Sequence, residues 1–299
     1  MSMMPFDDRP GSIWYDGEMI DWKDAKLHVL SHALHYASAV FEGERVYEGR
    51  IFKLTEHTKR LHDSARMLDF AIPFTVEQID EACRQVVAAQ GIKDGYVRPI
   101  AWRGSEMMGV SAQKSKIHLA IAAWEWPAYF SAEARMQGIR MQVSNWRRPD
   151  PRTAPSKSKA AGLYMICTLS KHKAEREGFN DALMLDWRGQ IAEATGANIF
   201  LAIDGKLHTP TPDCFLDGIT RRTVIALAKA RQIEVIERAI MPEDLARAAE
   251  VFLCGTAVEV TPVREIGDYR FTPGQLTKTL MDDYDAEVRR PVPLTKTAA

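Results

Sequence analysis

The sequence has few of the features that are typical of secreted proteins, membrane proteins or proteins stabilised by a structural metal. Its four cysteines, at positions 83, 167, 214 and 254, are scattered without a C-x-x-C pair, which favours reduced thiols over a disulfide or zinc framework. The longest apolar run, residues 119–124, is too short to span a bilayer. Residues 1–8 lack the basic and apolar regions of a secretory signal. We therefore expect a soluble, cytoplasmic protein.

An excess of charge of one sign is also missing. Thirty-nine basic residues stand against forty acidic ones, so the formal net charge is -1. Such a balance provides no general attraction to nucleic acid or to an anionic membrane, and neither is expected as a partner. No G-x-G-x-x-G or G-x-x-x-x-G-K-[ST] motif follows a predicted strand, so a nucleotide enzyme is not indicated. The composition, 46% hydrophobic, favours a globular protein that acts on small molecules.

Helical and strand-like segments alternate along the chain, which predicts a mixed α/β fold. Asp16-Gly17 and Glu48-Gly49 are typical of hairpin turns, and Thr75 with Gln78 forms a capping box for a helix that ends at Gly91. The predicted strands cover residues 95–102, 117–126, 181–186, 199–203, 234–240 and 251–253, and the predicted helices cover 160–178, 221–231 and 242–249.

Two interruptions divide this pattern. Three prolines within residues 149–155 exclude regular helix or central strand there and predict a rigid loop. Residues 130–138 are predicted to connect a smaller N-terminal domain, residues 1–129, to a larger one, residues 139–299.

Glu193 is the most informative acidic residue. It stands between the strand-like segments 181–186 and 199–203, which predicts a position at a strand end. A buried carboxylate there needs a positive charge or a protonated ring nitrogen as a partner. The small residues that follow, 194–197, leave room for a flat ligand.

Two lysines and a helix start complete a chemical pattern with this acid. Lys157 and Lys159 follow the proline loop at a helix start, where the helix dipole and a partly dry setting lower the pKa of an amine, and spacing does not separate the two. Residues 217–221 open a helix whose free N–H groups can hold a phosphate, and Thr256 adds a hydroxyl. A Schiff-base lysine, an acid for a ring nitrogen and a phosphate cradle together describe pyridoxal phosphate.

Spaced motifs then resemble the class IV pyridoxal-phosphate aminotransferases. They are Glu193-x-Thr195-x-x-Asn198-Ile-Phe200, Leu207-x-Thr209 and Leu216-x-Gly218-Ile219-x-Arg221. Further motifs, at residues 31–45, 60–64, 96–99 and 108–110, are similar to those of bacterial branched-chain amino-acid aminotransferases. The resemblance extends from about residue 13 to about residue 263. It implies fold type IV, an α/β (α+β) fold with a small N-terminal domain, a larger C-terminal pseudo-barrel domain, and at least a homodimer.

The resemblance also implies the cofactor residues. Lys159 would form the Schiff base and move the proton between Cα and the cofactor, Tyr164 would bind the phenolic oxygen, and Glu193 would keep the ring nitrogen protonated. Leu216 would pack on the ring. The remaining residues implied at the cofactor, mainly at its phosphate, are Arg60, Asn198, Gly218, Ile219, Thr220 and Thr256.

The implied reaction is a ping-pong transamination of L-leucine, L-isoleucine or L-valine with 2-oxoglutarate. Arg98 and Tyr96 are candidates for binding a carboxylate, and Val110 is implied to reach the pocket of a neighbouring subunit. The other residues implied to contact the substrate are Tyr36, Phe41, Trp126, Tyr129, Thr256 and Ala257.

Other readings stay open at this point. A D-amino-acid or (R)-amine aminotransferase would share the cofactor residues, as would an aminodeoxychorismate lyase, and a non-catalytic binding protein would keep only the fold. Glu44, Arg103, Glu106 and Leu163 depart from the family pattern, so the substrate range is the least determined property. His28, His32 and His35 have the spacing of one helix face, but no Cys, Asp or Glu completes a metal site, and we expect no metal.

Overall fold

The protein is described here by a computed structural model that covers residues 4–126 and 135–291. Within these residues the chain forms two β-sheets with helices packed against them, which confirms the predicted mixed α/β class. Residues 127–134, which include part of the predicted interdomain loop, lie outside the described part, and the domain boundary stays a prediction.

The first sheet is antiparallel and comes from the N-terminal part of the chain. Its order is β2-β1-β7-β6-β4-β5, with β3 also paired to β6. Both predicted hairpins are confirmed, because Asp16-Gly17 and Glu48-Gly49 have the positive φ angles that tight hairpin turns require. The strands are β1 Ser12–Tyr15, β2 Glu18–Asp21, β3 Ala39–Phe41, β4 Glu44–Tyr47, β5 Arg50–Ile51, β6 Gly95–Arg103 and β7 Ile117–Glu125.

Two long helices bury one face of this sheet. They are α2 (Leu54–Met67) and α3 (Val76–Ala89), preceded by the short α1 (His32–Tyr36). Leu61 and Ala65 of α2 and apolar residues of α3 pack with the sheet in one core. The predicted capping box at the start of α3 is confirmed, because the side chain of Thr75 accepts from the N–H of Gln78 and the side chain of Gln78 accepts from the N–H of Thr75.

The second sheet mixes parallel and antiparallel pairs in the order β10-β9-β8-β15-β14-β11-β12-β13, with β16 paired to β15. Its strands are β8 Ile139–Val143, β9 Asp181–Leu185, β10 Ile191–Ala194, β11 Asn198–Ile203, β12 Lys206–Pro210, β13 Val235–Arg238, β14 Glu250–Gly255, β15 Glu259–Ile266 and β16 Tyr269–Arg270. The helices α4 (Met165–Arg176), α5 (Ile219–Ala230) and α6 (Gln275–Val288) accompany it, and α5 and α6 cover one of its apolar cores.

One predicted helix differs in kind. Residues 242–249 form a 3-10 helix, Pro242–Arg247, rather than an α-helix. The side chain of Asp244 binds the N–H of Met241, and only Leu245 is buried, so too little apolar surface is covered to support further turns. Three other 3-10 helices occur at Phe6–Asp8, Trp22–Asp24 and Ala161–Tyr164. None of the helices within residues 4–126 and 135–291 is long and apolar enough to cross a membrane.

Candidate active site

A single cavity collects residues from both parts of the chain. Strands β10 and β14 end at it, β11 and α5 begin at it, and α2 adds one side chain. It encloses about 570 Å³ of empty space, including solvent at its mouth. All ten residues predicted to hold the cofactor line it: Arg60, Lys159, Tyr164, Glu193, Asn198, Leu216, Gly218, Ile219, Thr220 and Thr256.

Lys159 lies inside this cavity, whereas Lys157 is exposed. The ammonium of Lys159 donates to the hydroxyl of Tyr164 at 2.7 Å. Burial, followed by the positive charge of Arg60, lowers the pKa of Lys159 below its usual value. Tertiary structure therefore separates two lysines that the sequence left equivalent, and the one inside the cavity carries the more reactive amine.

The backbone of Lys159 is held from the N-terminal part of the chain. Its N–H donates to the hydroxyl of Ser64 on α2 at 2.9 Å, and its carbonyl accepts from the N–H of Phe41 at 3.1 Å. The ring of Phe41 lies 5.0 Å from the Lys159 amine and 4.8 Å from the ring of Tyr164. These contacts fix where the amine points.

Glu193 occupies strand β10, is buried, and also lines the cavity. Burial raises its pKa from 4.5 to about 7, although Arg148 and Lys159 act in the opposite direction. Arg148 Nε lies 3.3 Å from Glu193 Oε1. In the part of the chain that the structure describes, this carboxylate accepts no hydrogen bond, so its oxygens are available to a ligand donor.

The start of α5 forms a polar end of the cavity. Gly218 precedes the helix, and the N–H groups of Ile219 and Thr220 lie in its first turn, where no carbonyl of the helix reaches them. Asn198 donates to the carbonyl of Leu216 at 3.0 Å, which connects β11 to this segment. A Cβ atom on Gly218 would lie 2.2 Å from Asn198 Oδ1, so glycine is required for this close approach.

Arg60 reaches the cavity from α2 and is held by a carboxylate behind it. Its Nε and Nη2 donate to the two oxygens of Glu42 at 2.7 and 2.8 Å, and Glu42 also contacts Nδ1 of His57 at 2.7 Å. Burial alone would raise the pKa of Glu42, but Arg60 and His57 hold it well below its usual value. One edge of the guanidinium is therefore occupied, and the other is free to face a ligand.

The residues predicted to contact the substrate divide into two groups. Phe41, Tyr96 and Arg98 lie near the Lys159 amine: the guanidinium of Arg98 is 4.8 Å from the ring centre of Phe41, and it donates to the hydroxyl of Tyr96 at 3.4 Å. Trp126 packs against Tyr96, with ring centres 5.4 Å apart. Arg98 Nε is shielded from solvent and has no hydrogen-bond partner, which leaves a donor for a ligand.

The second group lies at the surface of the single chain. Val110 is 85% exposed and Tyr36 is 44% exposed. The hydroxyl of Tyr36 donates to the carbonyl of Met108 at 3.4 Å. Because Val110 is two residues from Met108, Tyr36 and Val110 belong to one surface region. Ala257 is exposed beside Thr256, and Tyr129 lies outside the described residues.

Several residues that line the cavity or support its side chains were not predicted as part of the site, and four of them make ionic or hydrogen-bond contacts with predicted site residues or with each other. They are Arg148, Glu42, His57 and Ser64. Glu42 stood inside a recognised motif, so its buried pairing with an arginine was accessible in principle. Arg148 has no such signal, because only the tertiary structure brings residue 148 beside residue 193.

The histidine pattern is wrong as a helix face, since α1 begins at His32 and His28 precedes it. Each of the three histidines instead makes a hydrogen bond to a nearby protein group. His28 Nδ1 accepts from the N–H of Leu30, His32 contacts Ser38 and the carbonyl of Gly109, and His35 contacts the carbonyl of Val29.

The three charged departures from the family pattern are placed away from the cavity. Glu44 is fully buried, and burial raises its pKa well above the usual range. Arg103 donates to the carbonyls of Ala112 and Asp69, and Glu106 accepts from the N–H of Lys116. None of the three lines the cavity.

Known proteins resemble this chain over most of its length. The family model for class IV aminotransferases matches residues 39–266. A branched-chain-amino-acid aminotransferase of Pseudomonas aeruginosa is 41% identical over 276 residues, which cover 91% of this chain and 90% of that protein. The Escherichia coli K12 enzyme of the same name is 42% identical over 269 residues, 88% of this chain and 87% of the relative.

Solved structures agree with these sequences. The branched-chain aminotransferase of the archaeon Thermoproteus uzoniensis with norvaline superimposes with a TM-score of 0.89, at 34% identity, covering 94% of this chain and 95% of that one. The branched-chain amino acid aminotransferase of Thermobaculum terrenum in its PLP form gives a TM-score of 0.85 at 30% identity, covering 93% and 94%. The predicted fold class and the sequence resemblance are confirmed.

Proposed function

Because the chain belongs to the class IV aminotransferase family, we propose that it transaminates L-leucine, L-isoleucine and L-valine with 2-oxoglutarate, giving branched 2-oxo acids and L-glutamate. The observation that carries the proposal is one cavity that holds a partly buried lysine, a buried acid and the start of a helix. The relatives named above are branched-chain-amino-acid aminotransferases, and this chain matches them over nearly their whole length.

The donors and acceptors of the cavity fit pyridoxal 5'-phosphate, which we assign as the cofactor. Arg60, the hydroxyls of Thr220 and Thr256, and the first N–H groups of α5 suit a phosphate. Glu193, with oxygens free of hydrogen bonds among the described residues, suits a protonated ring nitrogen. Gly218 allows the helix start to lie against Asn198, where a larger residue would collide.

The cofactor, when bound, supplies a carbonyl carbon for Schiff-base formation and a ring that withdraws electrons from Cα. Lys159 has two duties in this chemistry. Its lowered pKa would make the amine available as a nucleophile toward that carbonyl carbon, and as a free amine beside Cα it would carry a proton to and from that carbon. Tyr164, 2.7 Å from the amine, holds it in place for both duties.

The substrate pocket must accept an apolar side chain in one half-reaction and a carboxylate in the other. Phe41 and Trp126 provide aromatic surface, and Arg98, with an unused buried Nε, provides a donor for a carboxylate. Tyr36, Val110, Tyr129 and Ala257 belong to the same proposal, and the exposure of Val110 and Tyr36 favours contributions across a subunit interface. We therefore also propose that the protein forms a homodimer or a larger homo-oligomer.

A cytoplasmic location completes the proposal. Its support is the set of four cysteines, which are free and buried in the structure.

An amino-donor panel tests the substrate. Purified protein is assayed with 2-oxoglutarate and L-leucine, L-valine, D-alanine, (R)-1-phenylethylamine or an aromatic amino acid. We expect the branched-chain L-amino acids to have the highest kcat/KM. Preference for D-alanine or for the amine would replace the proposal with the corresponding class IV activity.

A lysine pair tests the catalytic assignment. Lys159→Ala is expected to lose transamination by about 10³-fold or more, because both nucleophile and proton carrier are removed. Lys157→Ala is the matched control, since this lysine is exposed two residues away, and its rate should equal that of the parent. Normal activity of Lys159→Ala would refute the assignment.

A further inference from the structure

Arg148 lies against the carboxylate that faces the proposed ring position. Its Nε is 3.3 Å from Glu193 Oε1, and the side chains of the two residues are only 4% and 11% exposed. Arg148 Nε is shielded from solvent and makes no hydrogen bond. It therefore acts on Glu193 as a close positive charge rather than as a hydrogen-bond donor.

The other titratable groups around this pair are shifted toward their neutral forms. Arg148 Nη1 donates to the thiol of Cys167 at 3.5 Å, and burial raises the pKa of that thiol to about 11. Burial also raises the pKa of Tyr164, and it lowers the pKa of Lys159. Among the described residues, Arg148 is thus the permanently charged side chain within ion-pair distance of Glu193.

A proton shared by a buried carboxyl group and a ring nitrogen has two positions. On oxygen it leaves both partners neutral, and on nitrogen it leaves a carboxylate and a pyridinium. Burial by itself favours the neutral arrangement, because charges are poorly solvated in the interior. A positive charge 3.3 Å from the carboxylate oxygen favours the second arrangement.

We propose that Arg148 keeps the shared proton on the ring nitrogen by holding Glu193 as a carboxylate. Arg148 is therefore a positioning residue that acts through Glu193 and touches no reacting atom. Its backbone is fixed, because its N–H donates to the carbonyl of Leu185 on β9 at 2.8 Å. The inference rests on the proposed function, since it requires pyridoxal phosphate in the cavity.

The test reads the protonation of the ring nitrogen directly. Holoenzymes are prepared with pyridoxal phosphate labelled with ¹⁵N in the ring, and the nitrogen chemical shift is measured by NMR. In Arg148→Met we expect a shift toward the value of the unprotonated free cofactor at alkaline pH. The rate constant for Cα-proton abstraction should fall by about tenfold, the equivalent of one pKa unit.

Two further variants separate charge from packing. Arg148→Lys keeps a positive charge and should restore the parent shift. Arg147→Met removes the neighbouring, exposed arginine and should leave the shift unchanged. If Arg148→Met does not fold, Arg148→Gln takes its place with the same expectation.

Each result has a distinct meaning. A parent protein that binds no pyridoxal phosphate would overturn the proposed function. A parent that binds it, with the same ring-nitrogen shift in Arg148→Met or Arg148→Gln, would overturn the role of Arg148 alone. A shift that moves equally in Arg148→Lys would show that packing, and not charge, is responsible, and would also overturn it.

Discussion

Lys159 and Glu193 have pKa values displaced in opposite directions by the same cause. Burial lowers that of the amine and raises that of the acid to about 7. Both shifts are toward the uncharged form, because burial in the cavity penalises charge on either group. A ligand with a protonated ring nitrogen adds a positive charge to that of Arg148 and further favours the ionised form of Glu193, which couples binding of the ligand to the charge of the acid.

The ring-nitrogen role of Glu193 makes a prediction at this scale. Glu193→Gln removes the negative charge but keeps the shape, so the phosphate contacts and cofactor binding should persist. Cα deprotonation should slow by about 10²-fold, because the ring loses its protonated nitrogen. A single-turnover experiment with L-leucine measures this step. Glu234→Gln, at an exposed site, is the control, and an unchanged rate in Glu193→Gln would argue against the role.

Among the elements, α2 and the segment between β3 and β4 depend on one buried ion pair. Glu42 binds Arg60 through both carboxylate oxygens, and Arg60 extends from α2 into the cavity. Glu44, two residues on, is also fully buried, yet its carboxylate oxygens have no hydrogen-bond partner and its pKa is raised. These two neighbouring acids therefore differ in charge: Glu42 is paired and ionised, and Glu44 is unpaired and neutral.

This difference predicts unequal effects on stability. Glu42→Gln should lower the free energy of unfolding by about 3 kcal/mol, because the charge of Arg60 is left buried without a partner. Glu44→Gln should change it by about 1 kcal/mol or less, since a neutral group replaces a neutral group. Denaturant unfolding of both apoproteins at pH 7 gives the comparison. Equal losses in the two variants would contradict the assigned charge states.

At the scale of the whole molecule, apolar side chains gather on one exposed region. We call this region the apolar patch and define it by Leu27, Val29, Leu30, Leu34, Tyr36, Met108 and Val110. Its two segments are joined by the contact of Tyr36 with the carbonyl of Met108 and by that of His32 with the carbonyl of Gly109. An apolar surface of this kind is typical of a protein interface.

The proposed oligomer can be tested through this patch. Val110→Lys places a charge in the patch and should shift the protein toward monomer in analytical ultracentrifugation. It should also raise KM for L-leucine, because Val110 is proposed to enter a neighbouring pocket. Met67→Lys introduces the same charge at an exposed methionine on α2, outside the patch, and should change neither property. An unaltered mass and KM in Val110→Lys would refute this use of the patch.

The sequence alone determined the parts of the protein that depend on neighbours in the chain. Hairpin turns at Asp16-Gly17 and Glu48-Gly49 and the capped helix after Thr75 follow from local backbone preferences. The ten residues predicted to hold the cofactor were identified from motifs that resemble a known family, and the structure brings all of them to one cavity.

Only the tertiary structure decided which groups are buried and which charges face each other. Lys157 and Lys159 differ by two positions, yet just one enters the cavity, and Arg148 meets Glu193 although the two are far apart in the chain. Likewise, the residues Pro242–Arg247 form a 3-10 helix because they bury little apolar surface, which the sequence pattern did not show. The physical reason is common to these cases: desolvation and Coulomb interaction depend on distance in space, which a linear pattern of residue types does not contain.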